Sequence, residues 1–142
     1  MPTFIPTFIS NICVLNLSDP ISKVLIVDDE QNIVLAVEFL LQREGYQTKK
    51  AFNGLTALEI AAQFQPDIVI LDVMMPGMDG FEVAEKIRQQ PQLEYTKIIF
   101  LTAKGTTRDK ETGYAKGAEA YLLKPFDNEE LVTVVNEMLA YG

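Results

Sequence analysis

Histidine is absent from the 142 residues of this chain, and cysteine occurs once. Without histidine the sequence lacks the commonest general base and a favoured zinc ligand. Cys13 has no second cysteine to bridge with, so an internal disulfide is excluded and a reducing compartment fits. Basic residues are few: 12 Lys and Arg stand against 20 Asp and Glu, a formal charge of −8. A field of that sign repels a phosphate backbone, which argues against direct nucleic-acid binding. Long apolar runs are missing as well. The apolar stretches are short and broken by Asp, Lys or Pro, so none reads as a bilayer span. The first residues lack the positive cluster that opens a secretory signal. Together these absences make a cytoplasmic protein, with no membrane partner, the default expectation.

What is present fits one globular domain: 48% hydrophobic residues and 23% charged, in a length that buries a core without metal or disulfide support. From Lys23 onward, short apolar runs alternate with helix-period stretches. Val24-Leu25-Ile26-Val27, Ile68-Val69-Ile70-Leu71 and Ile98-Ile99-Phe100-Leu101 are unbroken, as suits strands buried on both faces of a parallel sheet, and Ala120-Tyr121-Leu122-Leu123 is a weaker fourth. Tyr46 to Phe52 is a more polar strand, placed at the sheet edge where lysine guards are common. Between them, Ile33, Val34, Val37, Leu40 and Leu41 share a helical face that Gly45 stops. Asn53 caps a helix carrying Leu55, Leu58 and Ala62, and Asp79 caps one carrying Phe81, Ala84 and Ile87. Asp127 and Glu130 have capping-box spacing before the stripe Leu131, Val134, Val135, Met138. Gly105 to Lys116 has little apolar content and predicts a short or mobile helix. The pattern predicts an α/β fold: a doubly wound, five-stranded parallel sheet with five helices, strand order 2-1-3-4-5, flavodoxin-like.

In such a sheet, ligands gather beyond the carboxyl ends of the strands. The first strand ends in Asp28-Asp29-Glu30, the third in Asp72, the fourth in Thr102 and the fifth in Lys124-Pro125. One polar strand end is an ordinary way to close a strand. Four at one rim, with the carboxylates of Asp28, Asp29 and Asp72 crowded on two neighbouring strands, make a poorer case for that explanation, because like charges at close range are unfavourable. A hard divalent cation relieves the crowding, and an all-oxygen site suits Mg²⁺. Lys124 either pairs with an acid or stands ready for a second anion. A carboxylate nucleophile, a metal, a hydroxyl and an ammonium are the parts that phosphoryl transfer to aspartate requires.

These residues lie in VLIVDDE at 24–30, DIVILDVMMPGMDGFEV at 67–83, IIFLTAKG at 98–105 and GAEAYLLKPF at 117–126, and in that order the chain resembles the receiver domain of bacterial two-component response regulators. The resemblance runs from about Lys23 to Tyr141. It implies that Asp72 is the phosphoacceptor and Asp29 the direct Mg²⁺ ligand. Asp28 acts largely through water, and the backbone carbonyl of Met74 completes the metal site. It implies that the Thr102 hydroxyl and the Lys124 ammonium contact the phosphoryl group, with a cis bond from Lys124 to Pro125. Tyr121 becomes the aromatic switch partnered with Thr102, with room left by the small Ala103. Without the resemblance, Tyr121 reads better as a half-buried core aromatic. Met75-Pro76-Gly77 forms a turn under either view, and Phe126 and Gly80 read as structural.

The implied activity is Mg²⁺-dependent acceptance of a phosphoryl group from the phosphohistidine of a sensor histidine kinase or phosphotransfer protein. Such a chain is no separate enzyme but assists its own phosphorylation and dephosphorylation. The change reaches a downstream protein through the face of the fourth helix, fifth strand and fifth helix. The rivals are weaker. A haloacid-dehalogenase phosphatase needs an acid two residues after the nucleophile, where Met74 stands. A Rossmann domain needs a G-x-G-x-x-G after the first strand, where Asp28-Asp29-Glu30 would repel a pyrophosphate. A phosphorylation-independent scaffold stays open, as do a stand-alone receiver and the receiver fragment of a larger transcriptional regulator. The domain is expected over 21–142. Residues 1–20, with Pro2-Thr3-Phe4-Ile5 repeated as Pro6-Thr7-Phe8-Ile9, are expected to be an extension. It would be a loose arm, a mis-assigned start, or an apolar contact with a partner or a second copy in a homodimer.

Overall fold

The computed structural model describes residues 21–141; the extension expected over 1–20 lies outside the described residues. Strands and helices alternate: β1 (Lys23–Val27), α1 (Gln31–Arg43), β2 (Gln47–Ala51), α2 (Gly54–Phe64), β3 (Ile68–Leu71), α3 (Gly80–Arg88), β4 (Lys97–Thr102), α4 (Thr107–Ala115), β5 (Ala120–Leu123) and α5 (Asn128–Tyr141), with one 3₁₀ turn at Pro91–Leu93. The sheet is parallel with order β2-β1-β3-β4-β5, as expected, and the polar β2 forms one edge.

The unbroken apolar strands follow from burial on both sheet faces. Leu25, Val27, Val69, Leu71, Ile98 and Phe100 point to one side, against Ala57 and Ala61 of α2 and Val83, Ala84 and Ile87 of α3. The alternate residues Val24, Ile26, Ile68, Ile70, Ile99 and Leu101 point to the other, against Val34, Val37, Leu40 and Leu41 of α1 and Leu131 and Val135 of α5. A period of two therefore supplies two cores from one run. Among the described residues, no helix is long and apolar enough to cross a membrane.

Helix ends follow the capping chemistry read from the sequence. Asn53 accepts from the Thr56 amide and Asp79 from the Glu82 amide, each at 2.9 Å, and Gly45 adopts φ 91° just past α1. Asp127 accepts from the amides of Glu129 and Glu130. A two-way capping box is found at α4, between Thr106 and Asp109. That box explains how so polar a segment stays helical: α4 runs only nine residues and buries Gly113 alone.

One expectation holds only in part. Of the stripe Leu55, Leu58 and Ala62, Leu58 packs partly buried against the core, whereas Leu55 is 68% exposed and the fully buried positions of α2 are Gly54, Ala57, Ala61 and Phe64. The helix lies too close to α3 for large side chains there: a Cβ at Gly54 would meet Val83 Cγ2 at 2.9 Å. Small residues permit that approach, and Leu55 turns outward.

Candidate functional site

Four of the five strand tips deliver a polar side chain to the same rim. β1 stops at Val27 and hands over to Asp28, β3 stops at Leu71 and hands over to Asp72, and β4 ends on Thr102 itself. The register places Thr102 beside Leu123, so Lys124 follows directly alongside, its amide bonded to the Thr102 carbonyl at 2.9 Å. Asp28, Asp72 and Thr102 are buried, whereas Asp29 is exposed. Carboxylate oxygens of Asp28, Asp29 and Asp72 all lie within 4.8 Å of one another.

Lys124 Nζ stands among the acids, 2.6 Å from Asp28 Oδ2, 2.9 Å from Glu30 Oε1 and 3.4 Å from Asp72 Oδ2. Burial pushes the Asp28 carboxyl above its ordinary value, and the Asp72 charge adds to this. The Lys124 hydrogen bond and the Glu30 amide pull the other way without cancelling it. Burial opposes the charge on Lys124, but hydrogen bonds to Asp28 and Glu30 outweigh it and hold the ammonium protonated, well above its usual range. Among the described residues, no buried side-chain polar atom lacks a partner.

The backbone at Asp72 is fixed by a close approach. A Cβ on Gly80 would lie 2.1 Å from the Asp72 carbonyl oxygen, and the Gly80 amide donates to the Val73 carbonyl at 2.9 Å. Only glycine lets the start of α3 seat against the strand tip. The Met74 amide donates to Asp72 Oδ1 at 3.3 Å, while its side chain is 54% exposed. The Lys124–Pro125 bond is cis.

Thr102 and Tyr121 occupy the next layer. The Thr102 hydroxyl accepts from the Lys104 amide at 3.3 Å. The Tyr121 hydroxyl donates to the Lys104 carbonyl at 2.7 Å, and its ring lies 5.7 Å from that of Phe100. Both side chains thus engage one residue of the β4–α4 connection. Burial, with the charges of Asp109 and Asp72, pushes the Tyr121 phenol up to about 12, so it remains a donor across the neutral range.

Of the residues singled out from the sequence, Asp28, Asp29, Asp72 and Lys124 meet at this rim and the Met74 amide donates to Asp72, whereas Thr102 and Tyr121 are linked through Lys104 in the next layer. Glu30 was seen only as part of an acidic run; its bond to Lys124 was missed, because nothing local marks a partner 94 positions away. Gly80 was read as structural without its contact to Asp72, although the Asp79-Gly80 pair at a helix start was the available signal.

The model of the response regulator receiver domain family matches residues 24–136. The chain is similar to a probable transcriptional regulator, ycf29, of Porphyra purpurea, at 38% identity over 117 residues, covering 82% of this chain and 56% of that protein. The corresponding protein of Pyropia yezoensis is 38% identical, with 53% covered, so the chain spans little more than half the length of these curated relatives. Among solved structures it resembles the chemotaxis protein CheY4 of Vibrio cholerae, at 38% identity and TM-score 0.80, covering 84% of this chain and 99% of that one. It also resembles the response regulator TrrA of Thermotoga maritima, solved in complex with Mg²⁺ and a beryllium fluoride, at 39% identity and TM-score 0.74, covering 83% and 99%.

Proposed function

The chain belongs to the family of response regulator receiver domains of two-component systems, and on that footing we propose that Asp72 is its phosphoacceptor. The observation that carries this reading is the juxtaposition of Asp28, Asp29 and Asp72 within 4.8 Å, with the Lys124 ammonium against them. The donor is the phosphohistidine of a sensor histidine kinase or a phosphotransfer protein, and the exchange takes place in the cytoplasm. An oxygen of Asp72 attacks phosphorus, the bond from phosphorus to the imidazole nitrogen breaks with its electron pair passing to that nitrogen, and the donor ring, protonated on its other nitrogen, leaves as neutral imidazole.

The donor set fits a hard divalent cation: three carboxylates, all oxygen, with Asp28 raised by burial and relieved when a positive charge is shared. Asp29, Asp72, the Met74 carbonyl and, largely through water, Asp28 would hold Mg²⁺, which supplies charge neutralisation on the transferring oxygens. Lys124 supplies a second positive charge and the Thr102 hydroxyl a hydrogen bond, so the chain positions its own modification and its own hydrolysis rather than turning over a separate substrate.

The new charge on Asp72 draws Lys124 and Thr102 toward it. Thr102 and Tyr121 both hold Lys104, so a shift at Thr102 reaches the start of α4 and the surface of α4, β5 and α5, where a downstream protein would bind. A second reading, the receiver portion of a longer transcriptional regulator, is favoured by the relatives of that name of which the chain matches about half. Incubation with acetyl phosphate and Mg²⁺, read by intact mass, is expected to add one phosphoryl group. Incorporation undiminished in Asp72→Asn would overturn the assignment.

A further inference from the structure

Lys124 has three ammonium N–H donors, and three carboxylates accept from it: Asp28, Glu30 and Asp72. The acceptors differ in their surroundings. Asp28 and Asp72 are buried, whereas the Glu30 side chain is 62% exposed. Glu30 also occupies the N-cap position of α1, yet its side chain makes no capping bond. The residue is held instead through its own amide, which donates to Asp28 Oδ1 at 2.9 Å. A carboxylate at a helix start ordinarily turns to the free amides of the first turn. This one turns to Lys124.

We propose that Glu30 is a positioning residue that holds Lys124 in the unmodified pocket and competes for it with the incoming phosphoryl group. The inference rests on the phosphoacceptor reading of Asp72. With every donor engaged, Lys124 reaches new anionic oxygens only by releasing an acceptor. The 3.4 Å bond to Asp72 goes with the modification of that carboxylate; of the two acceptors that remain, Glu30 is released the more readily, because its carboxylate passes into water, while Asp28 would be left charged and buried. The exchange moves the ammonium from Glu30 to the phosphoryl oxygens and breaks no covalent bond; the proton stays on Lys124. An exposed ion pair biases an equilibrium by only a few-fold, so Glu30 sets a threshold on the modified state without forbidding it.

The test is a beryllofluoride titration in saturating Mg²⁺, followed by fluorine NMR, on the full chain and its variants. Glu30→Gln keeps the side-chain volume and loses no cap. It is expected to lower the half-saturating concentration about threefold, the size of an exposed ion pair, with the urea midpoint unchanged. A general loss of negative charge would also favour an anion, so the double variant Glu30→Gln with Asn32→Glu returns the charge to α1 on another face. Direct competition predicts that the double variant keeps the tighter binding. Tightening that disappears in the double variant assigns the effect to the overall field and overturns the proposal. Unchanged or weaker binding in Glu30→Gln also overturns it, as does a lowered urea midpoint without tightening. An unsubstituted chain that binds no beryllofluoride, or binding that survives Asp72→Asn, overturns the phosphoacceptor reading and this inference with it.

Discussion

Gly113 and Tyr121 share one space: a Cβ at Gly113 would fall 2.8 Å from both Cδ2 and Cε2 of the Tyr121 ring, and 3.2 Å from Cδ2 of Phe100. The glycine sits inside α4, where it weakens the helix, and is the only α4 residue that is buried. Its missing side chain is what allows Tyr121 to lie inward and donate to the Lys104 carbonyl. The most polar helix of the fold is therefore docked on the core through a ring packed against a gap.

Gly113→Ala separates two effects of opposite sign. If the site were roomy, alanine would stabilise the chain by about 1 kcal/mol through helix propensity. A clash with two aromatic rings instead costs roughly 1–3 kcal/mol. Net destabilisation in urea unfolding is expected, with loss of the NMR contacts between Tyr121 and Phe100. A gain in stability with those contacts kept would show that the ring accommodates a methyl and that the gap sets nothing.

Two carboxyls titrate on opposite sides of the ordinary value of 3.8. Asp109 is lowered, first by its hydrogen bond with the Thr106 hydroxyl, so its contribution to α4 is complete above 3.8 and is lost as pH falls through its depressed value. Asp28 is raised by burial, so the folded state binds the extra proton and stability falls as pH rises from 3.8 through its elevated value. Without metal, a falling limb is expected above pH 3.8 in unfolding measurements. Asp28→Asn should remove it and Mg²⁺ should flatten it. A limb identical in the variant would place its origin elsewhere.

Met74 is 54% exposed beside Asp72, and its amide rather than its side chain engages the carboxylate. If Asp72 is the phosphoacceptor as proposed, an apolar side chain there would impede a water approaching the phosphoryl group and could not hydrogen-bond to it. Met74→Asn is expected to shorten the lifetime of the phosphorylated chain about fivefold, roughly 1 kcal/mol in barrier height. Phosphate release followed after removal of acetyl phosphate would measure this, and an unchanged rate would refute it.

Much of the site was legible because each functional residue stands where an apolar run ends: Asp28 after Val27, Asp72 after Leu71, Thr102 after Leu101, Lys124 after Leu123. A parallel sheet brings those ends to one rim by its geometry alone. The cis bond before Pro125 was expected from family resemblance, not from composition or spacing. The inward face of α2 was legible only in part: Leu58 packs on the core as expected, but periodicity weights large side chains, whereas the close α2–α3 approach places glycine and alanine at the most buried positions. Contacts to backbone carbonyls leave no trace in a sequence, which is why neither the Lys104 acceptor of Tyr121 nor the role of Arg88 could be anticipated.

Arg88, at the end of α3, ties three segments together at the rim opposite the acids. Its Nη1 donates to the Thr96 carbonyl at 2.6 Å, and its Nη2 to the Gly117 carbonyl at 2.7 Å and to Glu119 Oε1 at 3.1 Å. Glu119 Oε1 also accepts from the Ile98 amide at 2.8 Å, so one guanidinium and one carboxylate join the starts of β4 and β5 to α3 and to the end of α4. A lysine carries the charge but not the planar fork, and it cannot serve the two carbonyls and the carboxylate in this geometry. Loss of one or two bonds from a charged donor is worth about 1.5–3 kcal/mol each when partly buried, less where solvent screens the Glu119 contact. Arg88→Lys is therefore expected to destabilise the fold by about 2 kcal/mol in urea unfolding and to speed amide exchange at Gly117 and Ala118. Beryllofluoride affinity should be little changed, since the acids lie at the other rim. A change in affinity without a change in stability would mean that the clamp acts on the position of α4 and not on the integrity of the fold.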